Sequence, residues 1–160
     1  MTIDELLAEI ESKSPPASEN DIAAFEAEIG HPLPDDYRRF LAGCNGGFLG
    51  GRFWYHEGDA GIHHIGGFRD ESYFSLRWTR DCYGDRIPKE LIWIMDDPFG
   101  NAICLGLEGD ARGKIYFWDH EEEPDPEEWD GSVATADNVS LLTNSFTEFV
   151  AGLAPGEDDD

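Results

Sequence analysis

The chain has 160 residues, with 11 Lys and Arg side chains against 35 Asp and Glu side chains, and so carries a formal net charge of −24 at pH 7. A small soluble domain usually has a net charge of about 2–8 in magnitude, so this surface is strongly acidic. Such a charge excludes sequence-independent binding to nucleic acid, where Lys and Arg contacts to phosphates supply the affinity, and it disfavours anionic membranes. A basic protein is the class of partner that this charge attracts.

The composition is typical of one folded domain in a reducing compartment. Ten Phe, five Trp and five Tyr supply far more aromatic bulk than a disordered acidic chain contains. The N-terminal residues lack a basic stretch followed by a long apolar run, so the sequence predicts no secretory signal, and nothing in it is apolar enough to predict a membrane span. Three cysteines without CxxC spacing favour a cytoplasmic location with free thiols: Cys44, Cys82 and Cys104.

The sequence predicts helices near both ends of the chain. Thr2 and Ser18 predict the N-caps of two helices, and Gly30 predicts the end of the second one. A third helix is predicted to begin near Pro34, because Pro is favoured in the first turn of a helix. The last helix is predicted to begin at Ser145 and to place Phe146, Phe149, Val150 and Leu153 in the core.

The middle of the chain is rich in glycine and is predicted to be largely extended. Short aromatic runs at residues 52–55 and 62–65 indicate strands or irregular extended segments. Between them and the next apolar run, residues 71–80 carry Tyr73, Phe74 and Trp78 at helical spacing and predict another helix.

Three apolar runs separated by turns form the clearest β signal. Residues 91–95, 102–107 and 115–118 predict a meander, and therefore a largely antiparallel sheet. In the second of these strands the residues of one face are all small, which should let another element approach the sheet closely: Ala102, Cys104 and Gly106.

The most unusual stretch is residues 119–130, which holds eight carboxylates in twelve residues and no Lys or Arg. One interpretation is a loop that only keeps the protein soluble, as most charge runs do. The other is an interface that mimics the backbone of a nucleic acid and enters a basic cleft, which the tryptophan in the run favours because Trp often anchors interfaces. The candidate partner-binding residues are Asp119, Glu121, Glu122, Glu123, Asp125, Glu127, Glu128, Trp129 and Asp130.

No pattern in the sequence predicts a catalytic, cofactor or metal site. His63 and His64 are adjacent, and neighbouring side chains of a strand point to opposite faces, so the pair is not expected to converge on one ion. Asp96, Asp97 and Asn101 lack the spacing of a calcium loop and predict a hairpin turn. The glycine pairs match no nucleotide-binding loop.

Nearly half of the basic residues fall between positions 69 and 89. We interpret them as internal partners of nearby acids rather than as a second contact zone or one side of a homodimer. They are Arg69, Arg77, Arg80, Arg86 and Lys89.

The order of the segments resembles the SUKH superfamily, which takes in fungal cell-wall regulators of the Smi–Knr type and many bacterial immunity proteins. The resemblance runs from about residue 18 to residue 153 and depends on the order and spacing of several short motifs. These are the run from Leu33 to Leu41, Asn45-Gly46-Gly47, Ile87-Pro88, Gly100-Asn101, the run from Ile115 to His120, and Ser145-Phe146-Thr147-Glu148-Phe149.

This resemblance implies a single α+β domain, at residues 1–154, with a central sheet and with N-terminal helices and a C-terminal helix packed around it. Residues 155–160 are then an acidic tail. It further implies a cytoplasmic immunity protein without enzymatic activity or cofactor, which binds and occludes a cognate, basic, nuclease-type toxin. A regulatory protein–protein interaction module without a toxin partner is the alternative, and the family shares no catalytic residues. The sequence leaves open whether the protein is a monomer or a homodimer.

Overall fold

A computed structural model of the protein describes residues 1–10, 15–58, 60–68 and 74–156. Within these residues the chain forms five α-helices: α1 Ile3–Glu9, α2 Glu19–Ile29, α3 Asp35–Gly43, α4 Leu76–Tyr83 and α5 Phe146–Ala151. The same residues form nine β-strands: β1 Gly47–Phe48, β2 Phe53–Tyr55, β3 Ala60–Gly61, β4 His64–Ile65, β5 Leu91–Asp96, β6 Ala102–Gly106, β7 Ile115–Trp118, β8 Val139–Thr143 and β9 Leu153–Pro155.

The strands form two sheets. The larger sheet has six strands in the order β1-β4-β5-β6-β7-β8, and the smaller has three in the order β3-β2-β9. Every pair of neighbouring strands is antiparallel. The predicted α+β architecture, with a central antiparallel sheet and helices around it, is therefore confirmed.

Helix starts are set by side-chain caps, as the sequence predicts. The hydroxyls of Thr2, Ser18 and Ser145 each accept a hydrogen bond from a backbone N–H three residues later. Gly30 ends α2 with a φ of +76°, a left-handed conformation that glycine adopts at no steric cost. The predicted last helix is too long, because α5 ends at Ala151 and Leu153 belongs to β9, although its side chain is still buried.

The helix predicted over residues 71–80 begins later than expected. Ser75 is its N-cap and accepts a hydrogen bond of 3.1 Å from the backbone N–H of Trp78, so the first helical residue is Leu76. The cap, and not the spacing of the aromatic residues, sets the start of the helix, because a residue that caps the N-terminus has non-helical backbone angles. Residues 71–73 lie outside the described part of the chain.

The central meander is confirmed, and it forms the middle of the larger sheet. All residues of β5 and β6 are buried, so both faces of the sheet are covered at its centre. The small-residue face of β6 also meets a close neighbour, as predicted. A Cβ at Gly106 would lie 1.8 Å from the carbonyl oxygen of Ala111, so only glycine fits between the strand and the turn that follows it.

Two strands were not predicted from the sequence. β8 extends the meander by pairing with β7, and β9 pairs with β2. Their sequences explain the omission, since β8 has two exposed residues in succession and so lacks the alternation of a half-buried strand, while β9 ends in Pro155.

The C-terminal helix joins the N-terminal helices through aromatic packing. Phe146 of α5 is fully buried, and its ring centroid lies 5.3 Å from that of Tyr37 and 5.1 Å from that of Phe40, both in α3. On the next turn of α5, Phe149 lies 5.4 Å from Tyr55 of β2, which brings the smaller sheet to the same core. Residues distant in sequence thus share one apolar interior.

We expect Phe146→Ala to lower the free energy of unfolding by about 3–5 kcal/mol, because the substitution removes a buried ring and leaves a cavity between two helices. Urea denaturation followed by circular dichroism measures the change. Leu141→Ala is the control, since Leu141 is 51% exposed on the edge strand β8 and should change stability by less than about 1 kcal/mol. Equal losses for the two variants would contradict this account of the core.

Candidate protein-binding site

The acidic segment, residues 119–130, leaves the sheet at the end of β7 and is held to the fold at that point. The backbone N–H of Asp119 donates to the carbonyl oxygen of Asn138 at 3.0 Å, and the Asn138 side-chain amide donates to the carbonyl oxygen of Asp119 at 2.9 Å. A single 3₁₀ turn, His120–Glu122, follows at once. The segment therefore starts from a defined position next to the edge strand β8.

The other end of the acidic segment is held by a compact turn around Asp130. One oxygen of its carboxylate, Oδ1, accepts hydrogen bonds from the Ser132 backbone at 2.9 Å, the Ser132 hydroxyl at 2.7 Å and the Thr135 hydroxyl at 2.6 Å. These hydrogen bonds to the charged form lower the pKa of Asp130 to about 2. In addition, the carbonyl oxygen of Gly131 accepts from the backbone N–H of Lys89.

Between its two ends the segment presents carboxylates to solvent. Glu121, Glu122, Glu127 and Glu128 are exposed. Within the part of the chain that the structure describes, their side chains make no hydrogen bond and no ion pair. Four negative charges are therefore held on a short anchored loop, and no cation among the described residues neutralises them.

The remaining acids of the segment have internal contacts, so the segment is not wholly solvated. Glu123 accepts a hydrogen bond of 2.7 Å from the Arg86 guanidinium, which lies 5.4 Å from the ring centre of Tyr83 and 5.5 Å from that of Trp118. This hydrogen bond raises the pKa of Arg86. Asp125 accepts from the backbone N–H of Glu127 at 3.0 Å and so shapes the turn that carries the exposed glutamates.

A groove separates the acidic segment from residues 84–89, and Trp129 lies along it. The groove encloses about 820 Å³, which is large enough for several side chains of a partner. The Trp129 ring is half-buried and its indole N–H donates to the carbonyl oxygen of Ser132 at 3.1 Å. The side chains that line the groove include Arg86, Ile87, Lys89, Glu123, Pro124, Pro126 and Trp129.

The basic residues identified in the sequence are in part internal partners of acids, as interpreted. Arg77 donates to Glu28 at 2.7 Å, and Arg86 to Glu123. No pattern in the sequence indicated that Arg86 and Lys89 face the acidic segment across one groove. Their position depends on the contact between the turn after α4 and the end of β7, where the indole N–H of Trp118 donates to the carbonyl oxygen of Arg86 at 3.3 Å. Arg69 lies outside the described residues.

The structure also brings together His63, His64 and Asp96, a cluster that sequence reasoning missed. Nδ1 of His64 lies 3.1 and 3.0 Å from the two oxygens of Asp96, and Nδ1 of His63 lies 4.0 Å from the nearer one. The expectation that the two imidazoles point to opposite faces is wrong. His63 precedes the two-residue strand β4, where the alternation of a regular strand does not apply, and the two rings lie 4.2 Å apart.

Asp96 is not part of the hairpin turn, although Asp97 and Asn101 are. The Asp97 carboxylate accepts from the backbone N–H groups of Phe99 and Asn101 at 2.9 and 2.8 Å, which confirms the predicted turn. Asp96 instead ends β5 with a buried carboxylate, and desolvation raises its pKa against the opposing effect of the hydrogen bonds from His64.

Neither the cysteines nor the helices add a further candidate site among the described residues. Cys44, Cys82 and Cys104 form no disulfide in the described part of the chain, and burial raises the pKa of Cys104 far above its ordinary value. Among the residues that the structure describes, no helix has the length and apolar character needed to cross a membrane.

Comparison with known proteins identifies the family. The model of the SMI1 / KNR4 family (SUKH-1) matches residues 16–152. Among curated proteins, the chain is similar to a protein of Bacillus subtilis (strain 168) named "SPbeta prophage-derived uncharacterized protein YokK", with 31% identity over 150 residues, covering 81% of this chain and 70% of the relative. The resemblance seen in the sequence is thus confirmed over most of its predicted extent. The chain belongs to the SMI1 / KNR4 family, SUKH-1.

Proposed function

We propose that the protein is an immunity protein that binds a cognate, basic, nuclease-type toxin and occludes its active cleft. Membership of the SUKH-1 family and similarity to a prophage-derived relative support this role. Under this proposal the protein acts in the cytoplasm, where the toxin would act, and it contributes no catalytic group and no cofactor. Its partner is a protein, not a nucleic acid or a membrane.

The observation that carries the proposal is the set of four exposed glutamates on the anchored acidic segment, whose side chains have no partner among the residues that the structure describes. A loop that served only solubility would need no fixed geometry. Here hydrogen bonds from Asn138 at one end and from Ser132 and Thr135 at the other hold the charges in place. Pre-organised charges lose less conformational entropy on binding, so they suit a surface that must match a basic cleft.

Electrostatic attraction would set the association rate constant, and apolar contact would set the dissociation rate constant. The net charge of −24 and the exposed glutamates would steer a basic partner toward the acidic segment and raise the association rate constant. The groove beside Trp129 would receive a side chain of the toxin and slow dissociation, since partly buried aromatic residues are frequent hot spots. Occlusion is then steric, because an acidic protein bound over a basic cleft excludes the toxin's own polyanionic substrate.

Growth rescue tests the function itself. We expect the C-terminal domain of the protein encoded next to this gene to stop growth when expressed alone, and co-expression of this chain to restore it. The control is co-expression of an unrelated acidic protein, which should not rescue growth. A harmless neighbour, or one that remains toxic in the presence of this chain, would overturn the proposal in favour of a regulatory interaction module.

The association rate constant should depend on the four free glutamates. We expect the quadruple substitution of Glu121, Glu122, Glu127 and Glu128 by Gln to slow association with the toxin domain about tenfold at low salt and to flatten its salt dependence. Stopped-flow fluorescence at several ionic strengths measures both effects.

The matched control removes four exposed carboxylates elsewhere: Asp4, Asp35, Asp81 and Asp110 are replaced by Asn. The change in net charge is the same, so a smaller effect of this control would show that position matters and not only total charge. An association rate constant that both variants reduce equally would rule out the acidic segment as the contact surface.

Dissociation should depend on Trp129. We expect Trp129→Ala to raise the dissociation rate constant by about 30-fold, the equivalent of about 2 kcal/mol, while the association rate constant changes little. Surface plasmon resonance with the immobilised toxin domain separates the two constants. Trp78→Ala is the control, because Trp78 is also partly exposed but lies on α4. Unchanged dissociation of the Trp129 variant would place the apolar contact elsewhere.

A further inference from the structure

The cluster of His63, His64 and Asp96 is held together by the backbone as well as by side chains. The backbone N–H of His63 donates to the carbonyl oxygen of Asp96 at 2.8 Å, and that of His64 donates to Oδ1 of Asp96 at 2.7 Å. Both histidines are therefore placed by the pairing of β4 with the end of β5, and their positions relative to the carboxylate do not depend on side-chain rotamers alone.

The potential ligand atoms of the cluster lie close enough to share one ion. One nitrogen from each imidazole and one oxygen of Asp96 all lie within 4.8 Å of one another. Bonds of about 2.0–2.2 Å from Zn²⁺ to nitrogen and oxygen place neighbouring ligands of a tetrahedral site about 3.3 Å apart. The Nδ1 atoms lie 3.0 and 4.0 Å from the carboxylate, so small side-chain rotations would close the site.

The surroundings of the cluster keep the ligands in place and leave one side open. The His64 ring stacks on Phe74 with centroids 3.8 Å apart and an interplanar angle of 6°, and Phe48 packs against both imidazoles. The side chains of His63 and His64 are 31% and 26% exposed, whereas that of Asp96 is only 10% exposed. An ion can thus reach the imidazoles from solvent, and water can occupy a fourth position.

The hydrogen bond between His64 and Asp96 does not account for His63. Among the described residues, neither ring nitrogen of His63 makes a hydrogen bond, and its Nδ1 lies at 4.0 Å from the carboxylate. A bound cation would use the free nitrogen, and it would also offset the cost of burying the Asp96 charge.

We propose that His63, His64 and Asp96 bind one divalent transition-metal ion of the Zn²⁺ type. Imidazole nitrogen suits Zn²⁺, Cu²⁺ and Ni²⁺, whereas Ca²⁺ and Mg²⁺ require oxygen ligands throughout. Two histidines and one carboxylate are a known three-ligand set for zinc with an open fourth position. The site is formed by His64 of β4, by Asp96 of β5 and by His63, which precedes β4, and it shares no residue with the acidic segment, so it does not depend on the proposed function.

Isothermal titration calorimetry of the full chain with ZnCl₂ tests this site. Millimolar MgCl₂ in the buffer occupies the acidic surface and leaves the histidine cluster free. We expect one zinc ion per chain, with affinity weakened at least about tenfold by His63→Gln and by His64→Gln. The control is His56→Gln, which replaces an exposed histidine outside the cluster and should bind zinc as the unmodified chain does.

Two results would overturn the site: only weak binding with several ions per chain, or unchanged affinity of the His63→Gln variant. Circular dichroism of each variant shows whether it is folded. His63→Gln decides the question even if His64→Gln fails to fold, because the His63 ring makes no hydrogen bond among the described residues. As a second measurement on the unmodified chain, Zn²⁺ should shift the imidazole NMR signals of His63 and His64 while leaving that of His56 in place. Unshifted signals would also overturn the proposal.

Discussion

The pairing of Leu91–Asp96 with Ala102–Gly106, β5 with β6, determines where the two candidate sites of the protein lie. Because every residue of both strands is buried, other parts of the fold cover both faces of this hairpin. The strand on one side, β7, leads directly into the acidic segment. The strand on the other side, β4, carries His64 to the end of β5. Two separate candidate sites thus depend on one buried hairpin.

The acidic side chains of this scaffold divide into those that contact arginines and those of the acidic segment that face solvent. Acids near arginines form internal contacts, as Glu123 does with Arg86 and Glu28 with Arg77. Among the described residues, the glutamates in the middle of the acidic segment have no such partner, and solvent, salt or a basic protein would relieve their mutual repulsion. The hydrogen bonds around Asp130 keep that carboxylate ionised and fix the turn that holds the segment in place.

The histidine cluster shows where a rule of local structure stops applying. Alternation of side chains holds for regular strands, but β4 has two residues and its neighbour His63 lies outside it. Both imidazoles then turn toward Asp96, whose backbone and side chain each accept a hydrogen bond from the histidine backbone. Short strands in glycine-rich sequence are therefore places where converging side chains can be hidden from sequence analysis.

The sequence by itself determined the helix caps at Thr2, Ser18, Gly30 and Ser145, the turn at Asp97, the meander and the family. These features depend on hydrogen bonds between residues a few positions apart, or on the periodicity of neighbouring side chains, so local order suffices to predict them. The acidic segment was also evident from composition. Only the tertiary structure shows that Arg86 lines a groove beside this segment and that His64 lies next to Asp96. Their hydrogen bonds join residues 37 and 32 positions apart, and such contacts form only once strand pairing and core packing have brought distant parts of the chain together.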